Sequence, residues 1–545
     1  METTKKCPSC NDGILTIKSG GYGKFWGCSN YRKGCRYTEK LTFKKQDSPM
    51  VNNNVDLSHI VLTDQQDAII KAIAKMDESI LVNSGPGCGK STLLQYAYHT
   101  QIKNSGKKVL CTSLGNGSVN DLLLKGIDVT TTVNKITYKI AKQIYPKSRI
   151  PTESINGKDT PVKIKNIIMA CPLIDEDSRK KNVNPLQQIL SYIDGYMLNI
   201  SMESLEYLEE EGYTLPLEKN QALIDILQYI EDQRLVQRSQ FFDFDESVKI
   251  ALENSELAEK YDIILLDETQ DLNKLKQAVI KSWLKPDGII IAVGDVNQSI
   301  MAFTGADKNA MTNVSKLFNC VEYPMNITRR IPQEHVIQYL NPTFPDIQIE
   351  SVKPGGIFIN GLSENLMIDS LAQDKTAFII ARNNSQLVKP AYAMIKAGYN
   401  ARILGLDIAK KLIDLIIKNK GHNLQVTFEN IESYLNKLFK QFETAKNKTW
   451  LEDLNENYET IKAIGEGCES IDEILLKIDS LFSDNKADYT FLTGHKSKGL
   501  EHKNVYLYGL EKLYKNCKNE KDRIQEYNLH WVMSTRSLDK MVIVS

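Results

Sequence analysis

Residues 80–92 read Ile-Leu-Val-Asn-Ser-Gly-Pro-Gly-Cys-Gly-Lys-Ser-Thr. Ile80 to Val82 predict a short buried strand, and Leu93 to Tyr98 carry a helical pattern. Between them lies a loop with three glycines that runs into Lys90, Ser91 and Thr92. Strand, glycine-rich turn and helix start, in that order, build a phosphate cradle. Backbone N–H groups curl around the anion, and the helix N-terminus adds its dipole. Gly85, Gly87 and Gly89 permit the curl, Lys90 reaches the β- and γ-phosphates, and the Ser91 hydroxyl can hold Mg2+. The expected nucleotide site therefore runs through Ser84, Gly85, Pro86, Gly87, Cys88, Gly89, Lys90, Ser91 and Thr92. Ser84 stands where the usual pattern has its first glycine. A glycine-rich turn without a ligand is the plainer alternative; Lys-Ser-Thr at the helix start speaks against it.

At 545 residues the chain is long enough for several domains. Lys+Arg and Asp+Glu both number 68, so net charge neither supports nor excludes a nucleic-acid partner. No apolar run reaches 18 residues, and the N-terminal segment lacks the apolar core of a signal peptide. A cytoplasmic protein with no membrane partner is expected. Four of the ten cysteines fall in the first 35 residues and six are scattered, which suits a reducing compartment and one metal site better than a disulfide framework.

Those four are Cys7, Cys10, Cys28 and Cys35. Two short pairs separated by 17 residues fit a four-thiolate Zn2+ ribbon, with six residues rather than two inside the second pair. So small a module has no real core, and zinc would supply its folding energy, on the order of 10 kcal/mol. Together with Cys-Pro-Ser-Cys, the segment Gly-Lys-Phe-Trp-Gly-Cys-Ser-Asn-Tyr at 23–31 resembles the C-terminal zinc ribbons of bacterial type IA topoisomerases. Residues 1–48 hold ten Lys/Arg against four Asp/Glu, interleaved with Phe25, Trp26, Tyr31 and Tyr37. Basic charge suits phosphates and rings suit stacked bases, so Phe25 and Trp26 are candidate DNA contacts. A structural or protein-docking ribbon, whose aromatics fill its own small core, is the alternative. Residues 47–56 read as a linker.

Downstream, Leu62-Thr63-Asp64-Gln65-Gln66-Asp67 starts a helix with Thr63 as N-cap. The Gln66 amide could pair with adenine as donor and acceptor at once, although an ordinary surface glutamine has the same look. The strand Tyr261 to Leu266 ends in Asp267-Glu268-Thr269-Gln270-Asp271. The first carboxylate suits Mg2+ and the second suits orienting and deprotonating the attacking water. Another strand, Gly288 to Val293, runs into Gly294-Asp295-Val296-Asn297-Gln298-Ser299-Ile300.

Asp-Glu-Thr-Gln-Asp followed by Gly-Asp-x-x-Gln-Ser-Ile resembles motifs II and III of the UvrD/Rep-like superfamily 1 helicases. The resemblance continues through Ile327-Thr328-Arg329-Arg330-Ile331-Pro332 (motif IV) and the strand end Ile379-Ile380-Ala381-Arg382-Asn383-Asn384. It then takes in Thr493-Gly494-His495-Lys496-Ser497-Lys498-Gly499-Leu500-Glu501 (motif V) and Trp531-Val532-Met533-Ser534-Thr535-Arg536-Ser537 (motif VI). The motifs stand in family order across residues 62–545.

The resemblance implies roles at these positions. Gln66 would read adenine. Lys90, Ser91, Asp267 and Glu268 would carry the Mg2+–ATP chemistry, and Gln298 would sense the γ-phosphate. Arg330 and Arg536 would be arginine fingers. Glu501 would contact the ribose and His495 would face DNA. Arg329 falls where the family has an adenine-stacking tyrosine; a guanidinium can also stack. Of the motif III aromatic pair only Phe303 keeps a ring beside Met301, which weakens one stacking step by about 1–3 kcal/mol. Thr112, Asn116 and Asn134 fall at the remaining DNA-facing positions, where turns after strands are an equally simple reading.

The implied architecture is α/β, with two RecA-like P-loop NTPase cores, helical inserts and the small N-terminal zinc ribbon at 1–46. The first core is expected at 57–120 and 255–320, and the second at 321–405 and 485–545. A helical insert fills 121–254 and a shorter one 406–484. Lys-Gly-Leu-Glu in motif V resembles the UvrD/Rep branch, which implies 3′→5′ movement on single-stranded DNA. Nine residues follow Arg536, so no nuclease domain is expected downstream. The leading expectation is an ATP-dependent DNA helicase acting on single-stranded or forked DNA, with the ribbon as DNA anchor. The alternatives are a translocase that does not unwind, with the ribbon recruiting a protein partner, and an ATP-switched sensor of DNA structure in repair or phage defence.

Overall fold

The computed structural model describes residues 5–8, 10, 14–20, 23–28, 35, 38–40, 55–150, 152–155, 158–161, 163–211, 215, 217, 219–300, 307, 309–441, 449–482, 486–515, 517 and 520–545. The phosphate-loop strand Ile80–Ser84 lies inside a six-stranded sheet, between Val321–Met325 and Leu284–Gly294. That sheet continues through Tyr261–Leu266 and Val109–Ser113 to Thr130–Thr132, and every pairing in it is parallel. Parallel strands are covered on both faces, hence their near-continuous apolar runs. Alternate residues feed opposite faces. Ile80, Val82, Ile263, Leu265 and Ile291 pack with helices Asp64–Lys75 and Lys90–Ala97. Leu81, Leu110, Ile264, Leu266 and Ile290 pack with Val133–Ile144, Phe244–Glu253 and Lys274–Ser282.

A second six-stranded parallel sheet runs Ile357–Leu362, Ser537–Val544, His502–Tyr508, Ala377–Ala381, Tyr489–Thr493 and Ala401–Ile403. One of its faces (Ile380, Leu492, Val505, Leu507) packs with Leu529, Val532 and Met533 of helix Glu520–Ser534. The other packs with the helices of the second insert, Leu406–Lys418, Leu424–Gln441, Thr449–Gly465 and Ile471–Leu481, in one continuous apolar cluster. Between the sheets, Ile327–Pro332 pairs with Glu350–Lys353.

Two expected boundaries move. Val321–Met325 pairs with Ile80–Ser84 and belongs to the first sheet, not to a second core starting at 321. Thr130–Thr132 is that sheet's far edge strand. The helices Val133–Ile144 and Phe244–Glu253 fill the first core's apolar cluster, so the first insert is shorter than 121–254. Its helices Lys163–Met169, Glu176–Tyr196, Met202–Glu210 and Gln221–Gln237 enclose a cluster of their own, around Ile168, Leu186, Leu190, Leu205, Leu227 and Ile230.

The N-terminal module is a four-stranded antiparallel sheet of Lys5–Lys6, Ile14–Gly20, Gly23–Cys28 and Thr38–Lys40. Most of the expected 47–56 linker lies outside the described residues. Among the described residues no helix is long and apolar enough to cross a membrane.

Candidate nucleotide and nucleic-acid site

The phosphate loop sits at the carboxyl end of Ile80–Ser84, where strand order reverses and open α/β sheets place ligands. Gly89, at φ 89°, leads into helix Lys90–Ala97, and no side chain caps that helix start. Its first N–H groups are thus left for an anion. Gly87 has φ 71°, and a Cβ there would lie 2.5 Å from Arg330 Cβ and 2.8 Å from Thr328 Oγ1. Its carbonyl accepts from the Arg329 N–H at 3.2 Å. The loop is therefore closed over by the motif IV strand. Ser84 Oγ donates to the Gly85 carbonyl at 3.0 Å, and the Gly85 N–H donates to Met325. Pro86 and Cys88 are buried, and burial pushes the Cys88 thiol up to about 12, which keeps it protonated.

Gln66 is buried and tied on both sides. Its carbonyl oxygen accepts from the Thr63 N–H at 3.0 Å, completing a capping box, and its amide donates to the Cys88 carbonyl at 3.0 Å. It fastens the preceding helix to the phosphate loop. Each end of an amide can make a second hydrogen bond, which leaves capacity for a base edge.

Strand Tyr261–Leu266 delivers Asp267 and Glu268 beside Lys90. Glu268 has φ 54°, an uncommon conformation for a residue with a side chain. Gln270 Nε2 donates to Glu268 Oε2 at 2.5 Å. Burial, then the Glu268 charge, pushes Asp267 up to about 7. Burial also opposes the charge on Glu268, but Lys90, the Gln270 amide, Lys498 and Arg536 together hold it below its ordinary value. Burial raises Asp295 and Asp271 as well. Carboxylates crowded in this way suit a divalent cation, for which Asp267 and Ser91 are the expected ligands. Gln298, buried, donates from Nε2 to Asp295 Oδ2 at 2.7 Å.

The opposite wall is cationic. Arg330 pairs with Glu501 at 2.9 Å, and its Nε is buried with no hydrogen-bond partner, a donor suited to a phosphate oxygen. Arg536 is almost fully buried, and burial together with the charge of Arg330 pulls it down to about 9. It donates to the Val532 carbonyl at 2.7 Å, the Thr535 hydroxyl at 2.7 Å and the Leu500 carbonyl at 3.4 Å. A buried Arg536 and a half-buried Arg330 that repel each other are stabilised by an anion between them. Arg329 is exposed beside the loop.

The DNA-facing expectations divide. Thr112 is fully buried within strand Val109–Ser113, its hydroxyl without a partner, so it does not reach a surface ligand in this arrangement. The strand continues one residue past it, which turns Thr112 into the sheet. Asn116 is exposed at the start of helix Asn116–Leu124. Asn134 is half-buried with its Oδ1 unpartnered. Burial and Arg382 pull His495 down to about 4, leaving a neutral imidazole at pH 7. Phe303 lies outside the described residues, as do the side chains of Phe25 and Trp26.

The four ribbon sulfurs lie within 4.8 Å of one another, with Cys7–Cys35 at 3.8 Å and Cys10–Cys28 at 3.4 Å. A tetrahedral zinc with bonds of about 2.3 Å separates its sulfurs by about 3.8 Å, so the four fit that ion.

Lys498, Asp271 and Gln270 stand inside the helicase-like motifs, yet residue type assigns them no role there. Lys498 Nζ reaches both Asp271 oxygens at 2.8 Å and the Gln298 carbonyl at 2.9 Å. Gln65, beside the expected Gln66, forms a paired amide contact with Asn326 at the crossing between the sheets. Residue type alone marked none of these pairings.

Two parallel cores with a phosphate loop and a carboxylate pair on one side, and the guanidiniums of Arg330 and Arg536 on the other, define a two-core P-loop NTPase fold. Residues 62–319 match the UvrD/REP helicase N-terminal domain, and residues 4–44 match the topoisomerase DNA-binding C4 zinc finger. Residues 62–319 thus carry a UvrD-like helicase domain, preceded by a topoisomerase-type zinc ribbon. The chain is 24% identical over 370 residues to a probable DNA helicase II homolog of Mycoplasma capricolum, covering 63% of this chain and 48% of that protein. It is 23% identical over 289 residues to the putative ATP-dependent DNA helicase YjcD of Bacillus subtilis, 45% of this chain and 34% of that one. A segment of 84 residues is 34% identical to the ATP-dependent DNA helicase UvrD2 of Mycobacterium tuberculosis, 14% of this chain and 12% of that protein. The chain thus spans about half the length of these relatives, or less.

Proposed function

We propose that this chain is an ATP-driven motor that moves 3′→5′ on single-stranded DNA and separates duplex, with its zinc ribbon as a DNA anchor. The observation that carries the reading is the contact of the two cores' chemistry at one cleft. Arg330 lies against Gly87 of the phosphate loop, and the Asp267–Glu268 pair stands beside Lys90. Lys90 and the free N–H groups of the following helix hold the β- and γ-phosphates. Asp267 and Ser91 would hold Mg2+, which would offset the phosphates' charge. Glu268, kept ionised by its cationic neighbours, orients the attacking water and takes its proton. Arg330 and Arg536 stabilise negative charge on the transferring phosphoryl group. Their place on the far side of the cleft makes hydrolysis depend on core closure, which supplies the stroke.

The second insert shares one apolar cluster with the second sheet and forms no separate body among the described residues. That packing favours a second reading, translocation without strong strand separation, with the ribbon docking a protein partner. ATP turnover is measured with no nucleic acid, single-stranded DNA, duplex DNA and single-stranded RNA, for residues 1–545 and 57–545. Stimulation by single-stranded DNA that weakens without the ribbon is expected; no stimulation by any nucleic acid overturns the motor and leaves a nucleotide switch. Lys90→Ala abolishes hydrolysis while retaining DNA binding. A forked duplex with a 3′ tail, set against one with a 5′ tail, tests polarity and separates unwinding from translocation.

A further inference from the structure

One half-buried charged contact joins the two cores. Lys498 follows the short helix Gly494–Ser497 in the second core. Its ammonium donates to both Asp271 oxygens at 2.8 Å and to the Gln298 carbonyl at 2.9 Å, so all three of its donors are directed at the first core. The two side chains are 13% and 18% exposed, which limits screening of the pair. Flanking contacts follow the same seam. Asn528 Nδ2 donates to the Ser299 carbonyl at 3.2 Å, and Ile300 packs with Leu529 and Met533 of the second core. Within the first core, Gln270 carries the connection onward. Its amide donates to Glu268 at 2.5 Å, and its oxygen accepts from the Asp295 N–H at 3.0 Å. Asp271 therefore ends the short segment that holds Glu268, and Gln298 is the residue whose carbonyl Lys498 grips.

We propose that Lys498 is a positioning residue: through Asp271 and the Gln298 carbonyl it sets Glu268 and Gln298 in hydrolytic geometry only when the cores are docked. The inference rests on the motor reading and deepens it. Docking and setting become one event, because the same ammonium makes the inter-core contact and holds both segments. Parting the cores breaks three hydrogen bonds at once and frees residues 268–271 and 298 together.

The test uses the full zinc-loaded chain with Lys498→Met, Lys498→Arg and the exchange Lys498→Asp/Asp271→Lys. In Lys498→Met, DNA-stimulated kcat falls at least about tenfold while KM for ATP stays within about threefold. Lys498→Arg recovers part of the loss, and the exchanged pair exceeds either of its single substitutions. Independently of turnover, amide hydrogen exchange at 268–272 and 296–300 rises in Lys498→Met with the unfolding temperature unchanged. A rise in KM at constant kcat overturns the proposal, since Lys498 then binds nucleotide directly. Unchanged exchange at both segments also overturns it. A parent chain that no nucleic acid stimulates breaks the motor reading instead, and the exchange comparison still decides the role of Lys498.

Discussion

The two helical inserts are attached by opposite physics. The second shares its apolar cluster with the sheet it decorates: Leu412, Leu415 and Ile478 pack in the same body as Ile379, Phe491 and Val542. The first encloses its own cluster and meets the first core through buried charge. Lys163 Nζ contacts both Glu246 oxygens, at 2.9 and 2.7 Å, and the carbonyls of Arg234 and Phe241, at 2.9 and 2.8 Å. Arg234 reaches Asp194 at 2.9 Å and Glu231 at 2.7 Å. Burial drives Lys163 down and, with the Asp243 charge, drives Glu246 up; the Glu246 carboxylate opposes the first shift, and Arg234 and Lys163 oppose the second. An apolar joint merges two parts into one cooperative body. A charged joint demands one geometry and leaves two hydrophobic bodies distinct.

The largest expected effect comes from breaking the charged joint. Lys163→Met leaves Glu246 buried without its ammonium and destabilises the chain by about 3–5 kcal/mol, read from denaturant unfolding. Adding Glu246→Leu recovers most of that loss; a double variant no better than the single would show that packing, not charge, makes the joint. Next are matched cavities. Leu412→Ala and Leu227→Ala each cost about 2–5 kcal/mol. The first lowers the unfolding of the whole second core, whereas the second loosens only the first insert and spares nucleotide binding. Hydrogen exchange resolved by segment distinguishes them, and equal spreading from both sites would erase the contrast.

Acid sharpens it further. Burial holds His530, in the second core between Tyr339 and Tyr514, near 4. The folded state then binds fewer protons than the unfolded chain between pH 6.5 and 4. Its stability contribution is complete above 6.5 and is lost toward 4, with a slope of at most about 1.4 kcal/mol per pH unit. His495 adds in the same direction. His530→Gln flattens the slope for the second core, and an unaltered acid limb would exclude this origin. The smallest effect is a helix cap. Ser470 accepts the Glu473 N–H at 3.2 Å at the start of Ile471–Leu481, and Ser470→Ala costs about 1 kcal/mol. The shared cluster spreads that loss across the second core, visible as a lowered unfolding midpoint.

The nucleotide site was legible to the extent that its parts are contiguous. The phosphate loop and Asp267-Glu268 each occupy one strand end and carry their own glycines or charges. The sheets' parallel order was also legible, because buried strands read as apolar runs. Thr130–Thr132 escaped notice because three threonines carry no apolar run. Val321–Met325 was assigned to the wrong side because a boundary drawn between motifs cannot see which sheet accepts its hydrogen bonds. Thr112 looked like a loop residue at a strand end, but the strand extends to Ser113 and buries it.

A phosphate loop, a carboxylate pair and a four-cysteine module are readable from residue order, because each is a local pattern of residue types whose chemistry needs that spacing. Which cation faces which carboxylate is fixed by the folded chain. Lys498 with Asp271, Arg330 with Glu501 and Lys163 with Glu246 lie 227, 171 and 83 residues apart in the chain. Such pairs form because folding removes both charges from water at one place, and no local pattern records the partner's position.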